Sequence, residues 1–274
     1  MQTRNFIRCA AVALSALGAV PASAGTSDGG IPEFWTCSGS CGASGADGVV
    51  PLAPGGGSAY GWISTWGSTA QAALPGVGTG GADVNGTILR SVSFDAAAGA
   101  QLDFRFNFVS TDGDGYADYA WARLLDQDNN QVAMLFTART TEAGNAIPGF
   151  GLPATQATLT PFPVPIMDGE TKWAPLGPDS DECYDVGCGA TGWVRAQYAI
   201  ASNGTYRLEF GVTNWDDQDF DSGLALDAIT VGGAPLPIPE PGQYAMLLAG
   251  LAVLGVMRPV RGAGRGRCRI GRRT

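Results

Sequence analysis

Strict alternation of apolar and polar residues is the feature that most constrains how this chain can fold. Between residues 101 and 108, Leu102, Phe104, Phe106 and Phe108 alternate with polar or charged side chains. A period of two places one kind of side chain on each face of an extended strand, so this stretch predicts a strand with one buried face. The same reasoning predicts further strands at residues 59–66, 87–94, 118–126, 131–138, 194–200, 205–212 and 223–231.

The number and spacing of these strands predict an all-β fold. Turn-forming clusters of Gly, Asn, Asp and Ser separate the strands, and residues 25–236 show no convincing helical period. Eight or more short strands of this kind are typical of a two-sheet sandwich, jelly-roll-like in its arrangement. Residues 37–58 and 144–185 do not follow the pattern. The second segment is either a functional surface loop or an excursion closed by Cys183 and Cys188.

The N-terminus has the order of features found in a secretory signal peptide. Arg4 and Arg8 precede an apolar run over residues 9–20, and the small-residue site Ala22-Ser23-Ala24 follows. This order predicts a signal helix over residues 1–24 that signal peptidase removes before Gly25. Residues 25–236 then form the exported domain, whose length fits one domain of the larger all-β kind.

The C-terminus carries a second address signal over residues 237–274. Pro239-Glu240-Pro241 is followed by an apolar stretch over residues 244–257, shorter than the roughly 20 residues that usually span a bilayer. Seven arginines follow this stretch, and positive charge of this kind holds a chain end on the cytoplasmic side. We therefore expect a short C-terminal transmembrane helix with the domain outside.

The order of Pro-Glu-Pro, short apolar helix and arginine cluster resembles the PEP-CTERM sorting signal. The resemblance rests on Pro239, Glu240 and Pro241 and on the segment behind them. It implies recognition and cleavage by an exosortase after a transient insertion in the inner membrane. It also implies a Gram-negative bacterium that makes extracellular polysaccharide, and a destination at the cell surface or in the extracellular matrix.

Charge narrows the choice of partners for the exported domain. The whole chain has a net charge of −9, but nine of its 16 basic residues lie in the two end signals. Residues 25–236 keep seven basic and 24 acidic residues, which gives a net charge of −17. Such a surface repels nucleic acid and anionic membranes and favours cations.

Four of the six cysteines lie in the exported domain, and their spacing favours two local disulfides. Cys37 and Cys41 frame a short Gly/Ser loop, and Cys183 and Cys188 frame a second short loop. An even number of cysteines in an oxidising compartment is typical of disulfides. A zinc site is the alternative, but the chain has no histidine and no Cys-x-x-Cys motif.

The segment from Thr111 to Asp118 predicts a calcium loop. Asp112, Asp114 and Asp118 can converge because glycines allow the backbone to turn tightly between them, and their hard oxygen atoms suit Ca²⁺. Their spacing resembles the calcium loops of thrombospondin-type repeats and departs from an EF-hand. The alternative is a hairpin turn in which Asp and Gly serve the backbone alone.

Asp227 is a further candidate ligand for Ca²⁺. It alternates onto the same face as Ile229 and Val231, so we expect it to be partly buried, which is costly for an unpaired carboxylate. The closing stretch over residues 221–231 resembles the last strand of choice-of-anchor surface ectodomains. In similar carbohydrate-binding jelly rolls an acid of the final strand ligates a structural Ca²⁺. The alternative for Asp227 is a hydrogen-bonded structural role.

Several enzyme classes are excluded or disfavoured. Without histidine the chain cannot form a Ser-His-Asp or Cys-His constellation, and it has no Gly-x-Ser-x-Gly motif or phosphate-binding loop. Glutamates for a carboxylate-based glycan hydrolase are available, but their number alone predicts nothing. We therefore predict a protein that is not an enzyme.

The seven tryptophans offer a carbohydrate-binding alternative. Trp62, Trp121 and Trp193 lie in predicted strands and are expected in the core. Four others lie near loops or strand ends and could stack on sugar rings: Trp35, Trp66, Trp173 and Trp215. The predicted function is that of a structural or adhesive component of the cell surface or matrix. The alternative is a Ca²⁺-dependent carbohydrate-binding module, and a glycan hydrolase is less favoured.

Overall fold

The computed structural model describes residues 30–32, 34–81, 84–165 and 169–236. The predicted signal helix and the predicted sorting signal, with Pro239, Glu240 and Pro241, lie outside these residues. Within them the regular secondary structure consists of β-strands and two short 3₁₀ turns at Asp114–Tyr116 and Ala174–Asp179. The described part contains no helix long and apolar enough to cross a membrane.

The strands form two large antiparallel sheets. The first has the order β1 (Thr36–Ser38), β4 (Gly86–Arg90), β14 (Gly204–Thr213), β7 (Tyr119–Asp126) and β8 (Gln131–Arg139), with β5 (Phe94–Ala96) also beside β14. The second has the order β10 (Thr158–Thr160), β13 (Val194–Ala199), β6 (Gln101–Ser110), β15 (Ser222–Val231), β3 (Tyr60–Ser64) and β2 (Ser40–Ser44). Short strands β12 (Gly189–Ala190) and β16 (Ala234–Pro235) extend the second sheet, and β9 (Asn145–Ile147) pairs with β11 (Val164–Pro165).

The inward faces of the two sheets form the main core. Phe104 and Phe106 of β6 are fully buried, as the alternation in the sequence predicts. The Phe106 ring stacks on Phe136 at 3.6 Å between centroids, and the Phe104 ring meets Phe210 edge to face at 5.3 Å. Contacts between these strands therefore join the two sheets, and the prediction of an all-β sandwich is confirmed.

Both outer faces are covered as well. On the first sheet, Trp121 lies over Gly211, where a Cβ atom would have no room. On the second sheet, Trp173 lies in the same way over Gly223. Trp173 belongs to the proline-rich segment over residues 144–185, so that segment is an excursion that packs back onto the sandwich.

The two local disulfides predicted from the spacing of the cysteines are present. Cys37–Cys41 joins β1 of the first sheet to β2 of the second, so it ties the two sheets together at one edge. Cys183–Cys188 closes the end of the proline-rich excursion. Both pairs of sulfur atoms are consumed in these bonds, which removes the zinc alternative. Disulfides persist in oxidising compartments and therefore indicate an exported protein.

Candidate functional site

Three acidic loops meet at one end of the sandwich. Strand β6 ends at Ser110 directly opposite Ser222, the first residue of β15. The loop after β6 (residues 111–118) and the loop before β15 (residues 214–221) therefore leave the sheets at the same end. The segment over residues 179–188 packs beside them. We call these three segments the acidic end, because they contain eleven of the 24 acidic residues of the exported domain and no basic residue.

The disulfide-closed segment over residues 183–188 is hydrogen-bonded to the loop after β6. The Tyr184 N–H donates to the Thr111 carbonyl at 2.9 Å, and the Asp114 N–H donates to the Val186 carbonyl at 3.0 Å. Both bonds join backbone to backbone across segments that are distant in sequence. The disulfide-closed segment therefore covers the loop that carries the candidate calcium ligands.

Asp112 and Asp118 are both buried in this loop. Asp112 Oδ1 accepts the Gly113 N–H at 2.7 Å. Asp118 Oδ1 accepts the Trp215 N–H at 2.8 Å, and its Oδ2 accepts the Ser222 hydroxyl at 2.6 Å. Asp112 Oδ2 is buried without a hydrogen-bond partner. One oxygen of the pair is therefore left unsatisfied.

Burial and their mutual contact shift the pKa values of both carboxyl groups. Burial is the main cause that raises the pKa of Asp112 to about 8; the charge of Asp217 contributes to this rise, and hydrogen bonds with Gly113 and Asp118 oppose it. Burial raises the pKa of Asp118 well above its usual range, and the negative charge of Asp112 raises it further. Desolvation and like charge act in the same direction here, and both favour the uncharged form of the pair.

The other two predicted calcium ligands lie elsewhere. Asp114 is partly exposed and lines a groove beside the buried pair. Asp227 lies at a bulge in β15, opposite Arg105, and its Oδ1 accepts the Ala228 N–H at 2.7 Å. Of the four candidate ligands, the structure thus brings Asp112 and Asp118 together and places Asp227 apart from them. The described residues contain no group of three or more acidic or cysteine side chains arranged to hold a metal ion.

The four candidate tryptophans have different environments. Trp173 is fully buried and its Nε1 donates to the Tyr60 hydroxyl at 2.8 Å, so its ring cannot receive a sugar. This candidate is wrong because the outer face of the second sheet needs a large apolar cover. Trp35 packs on Phe210 at 6.2 Å between ring centroids. Trp66 is 43% exposed, and Trp215 lines the groove beside Asp114.

The groove beside Trp215 combines aromatic and charged groups. It has a volume of about 410 Å³, and Arg139, Glu142 and Phe150 also line it. The Arg139 guanidinium lies 4.2 Å from the centroid of the Trp215 ring, and Phe150 is 75% exposed. The groove therefore offers flat apolar surfaces next to hydrogen-bonding groups, which suits a polar ligand with an apolar face.

Three residues of this region are not among those predicted from the sequence: Arg139, Phe150 and Ser222. Arg139 looks like an ordinary polar residue at the end of a strand, and the exposure of Phe150 follows only from the packing of the loop around it. Ser222 is significant because the pairing of β6 with β15 brings it to Asp118. No local sequence signal reports any of these three contacts.

Comparisons with known proteins leave the family of this chain open. No model of a known protein family matches the chain. No curated protein is significantly similar to it. One solved structure that resembles it is the enzymatically active domain of tailspike protein 4 from bacteriophage CBA120, at 15% sequence identity and a TM-score of 0.32. That likeness covers 73% of this chain but 19% of the tailspike chain, and it carries no argument about activity.

Asp221 is a third buried carboxyl group of the acidic end. Its Oδ1 accepts the Thr65 hydroxyl at 2.6 Å, and its backbone N–H donates to the Asp179 carboxylate at 2.9 Å. Burial, with a smaller contribution from the nearby negative charge of Asp179, raises the pKa of Asp221 to about 7. The folded protein therefore keeps this proton to a higher pH than the unfolded chain does.

We predict that the Asp221→Asn substitution makes stability less dependent on pH. Because the folded-state pKa is raised, this group contributes most at low pH, and its contribution is lost as pH rises from about 4 to about 7. The slope from one such group approaches about 1.4 kcal/mol per pH unit within this window. Asn resembles the protonated acid and does not titrate, so urea unfolding across the window should show a flatter profile for the variant.

The control for this prediction is Asp128→Asn, which changes an exposed acid on the turn between β7 and β8. It should leave the pH profile of the wild type unchanged. Parallel profiles for wild type and Asp221→Asn would show that Asp221 does not hold a proton in the folded state.

Proposed function

We propose that this protein is an exported, non-enzymatic component of the cell surface or extracellular matrix, with a structural or adhesive role. The observation that carries the proposal is the pair of local disulfides, Cys37–Cys41 and Cys183–Cys188, because such bonds persist outside the cytoplasm. The signal-peptide features over residues 1–24 and the sorting features over residues 237–274 agree with this compartment.

Sorting proceeds in two cleavages under this proposal. Signal peptidase removes the N-terminal segment, and the C-terminal apolar stretch holds the domain briefly at the inner membrane. An exosortase then recognises Pro239-Glu240-Pro241 and releases or transfers the domain. The last strand that the structure describes, β16, precedes this segment, so cleavage there would keep every described strand in the released domain.

A structural role fits the physical character of the domain. The Cys37–Cys41 bond ties the edges of the two sheets, and the excursion with Trp173 covers the second sheet. The net charge of −17 over residues 25–236 opposes self-association of such a domain and favours contact with cations.

We predict that Glu240→Ala prevents C-terminal processing. In a host with an exosortase, intact mass spectrometry of the surface-displayed wild type should show a chain that begins at Gly25 and lacks residues beyond about 241. The Glu240→Ala variant should retain the C-terminal apolar stretch and remain with the inner membrane. Glu170→Ala, at an exposed acid of the domain, is the matched control and should be processed like the wild type. Surface-displayed wild type that keeps residues 244–257 would refute exosortase sorting.

The groove beside Trp215 supports a second candidate function, the binding of extracellular polysaccharide. Phe150 is 75% exposed there, although large apolar side chains are usually buried. Sugar rings have apolar faces that stack on aromatic rings, and their hydroxyl groups can pair with Glu142, Asp114 and the threonines of the groove. An adhesive protein of a polysaccharide matrix would use such a surface.

We predict that Phe150→Ala weakens this carbohydrate binding about fivefold. One aromatic stacking contact contributes on the order of 1 kcal/mol, and 1.4 kcal/mol corresponds to a factor of ten in affinity. Binding should be measured by a glycan array and by titration with the polysaccharide of the producing strain, each with and without a chelator. Phe162→Ala removes another exposed phenylalanine outside the groove and should bind like the wild type. If the wild type binds no glycan under either condition, the protein is not a lectin.

A further inference from the structure

The buried pair Asp112 and Asp118 carries more negative charge than its surroundings compensate. Both residues are at least 99% buried, Asp112 Oδ2 accepts no N–H or hydroxyl donor, and the two carboxyl groups lie within hydrogen-bonding reach of each other. The hydrogen bonds from Gly113, Trp215 and Ser222 satisfy only the other three oxygens. A buried carboxylate without a partner costs several kcal/mol, so the fold is more stable when a proton or a cation neutralises the pair.

The same chain shows how it compensates a buried carboxylate with its own residues. Glu209 is completely buried on β14, and Arg90 and Arg123 from the two neighbouring strands each form an ion pair with one of its oxygens. In the part of the chain that the structure describes, Asp112 and Asp118 have no such ion pair. Compensation at the acidic end therefore comes from a bound proton or cation and not from a basic side chain.

Arg139 does not fill this role. Its charge acts on Asp118 from a distance, but its Nε donates to the Ala117 carbonyl at 2.9 Å and its Nη1 donates to the Phe150 carbonyl at 3.3 Å. Its guanidinium also stacks on the Trp215 ring. Its hydrogen bonds thus serve the wall of the groove, and Asp217 and Asp219 add further negative potential to the Asp112 site.

The atoms around the pair are hard oxygen donors. Besides the two carboxylates, the Ser222 hydroxyl lies 2.6 Å from Asp118 Oδ2 and 2.7 Å from the Ser110 hydroxyl. Calcium accepts six to eight oxygen ligands in flexible geometry and completes its shell with water, whereas magnesium requires a nearly ideal octahedron. A site with only two carboxylates and an irregular loop therefore fits calcium better than magnesium.

We propose that Asp112 Oδ2 and the Asp118 carboxylate bind one Ca²⁺ ion, with neighbouring hydroxyl groups and water completing its coordination. Asp112 and Asp118 are therefore ligands, whereas Asp114, the third acid of the Thr111–Asp118 segment, lines the groove. The small number of charged ligands places the site in the weak extracellular class, with a dissociation constant of roughly 10⁻⁴ to 10⁻³ M.

Binding of this ion also affects the loops that form the groove beside Trp215. The Trp215 N–H donates to Asp118, and Asp114, which lines the groove, is two residues from Asp112. Neutralising the pair would hold the loops over residues 111–118 and 214–221 in one arrangement. This inference goes beyond the proposed surface role and does not depend on glycan binding or on exosortase sorting.

The test uses the purified exported protein, with CaCl₂ as the probe. Isothermal titration should show one saturable site, and the melting temperature should rise by about 5 °C in roughly 10 mM CaCl₂ relative to EDTA. The same concentration of MgCl₂ should give a clearly smaller rise. Asp112→Asn should abolish both the titration signal and the calcium-dependent rise. Asp114→Asn removes a nearby acid that is not a ligand and should retain both.

A shared proton is the competing explanation, and the same variants distinguish it. If the pair shares a proton, the amide of Asp112→Asn can replace the protonated acid, so this variant would be as stable as the wild type and neither protein would respond to calcium. That result overturns the proposal. If Asp112→Asn fails to fold, the test uses the luminescence of Tb³⁺ added to the wild-type protein. Emission sensitised by Trp215 and displaced by Ca²⁺ supports the site, and absence of saturable emission overturns it.

Discussion

The pairing of β6 with β15 in the middle of the second sheet is the constraint on which the rest of the structure depends. Both strands carry apolar residues on both faces near this end, because one face packs on the first sheet and the other lies under the loops that cover the sandwich. Their antiparallel register sets Ser110 opposite Ser222. Once this register is fixed, the loops after β6 and before β15 must leave together. Residues more than 100 positions apart in the sequence then share one site.

That site concentrates negative charge where water is excluded. The chain tolerates a buried Glu209 by flanking it with two arginines, yet it buries Asp112 and Asp118 in loops that contain no basic residue. Buried carboxyl groups without basic partners destabilise a fold, and they are characteristic of sites that bind a ligand or hold loops in a defined arrangement. A backbone hydrogen bond from Tyr184 to Thr111 connects the third segment, which the Cys183–Cys188 disulfide closes, to this site. Disulfide, buried acids and strand register thus act on the same small region, and the groove beside Trp215 borders it.

Local patterns in the sequence were sufficient for part of this structure. Alternation of apolar residues identified the strand with Phe104 and Phe106, and short spacing identified both disulfides, because each depends on neighbours in the chain. The convergence of Asp112 with Asp118 also followed from local glycines. The exclusion of Asp114 did not, since it depends on the direction in which the turn presents each side chain. Trp173 was misjudged because the sequence does not reveal that a proline-rich excursion folds back over the second sheet.

Amide hydrogen exchange in Asp118→Asn tests most directly whether the acidic end is one cooperative unit built on its buried carboxyl groups. The account predicts that exchange accelerates together at Trp215, whose N–H donates to Asp118, and at Tyr184, whose N–H donates to Thr111 in the covering segment. Exchange at Phe210, inside β14, should stay at the wild-type rate. Acceleration at Trp215 alone, with Tyr184 unchanged, would show that the three loops are held independently and would contradict the account.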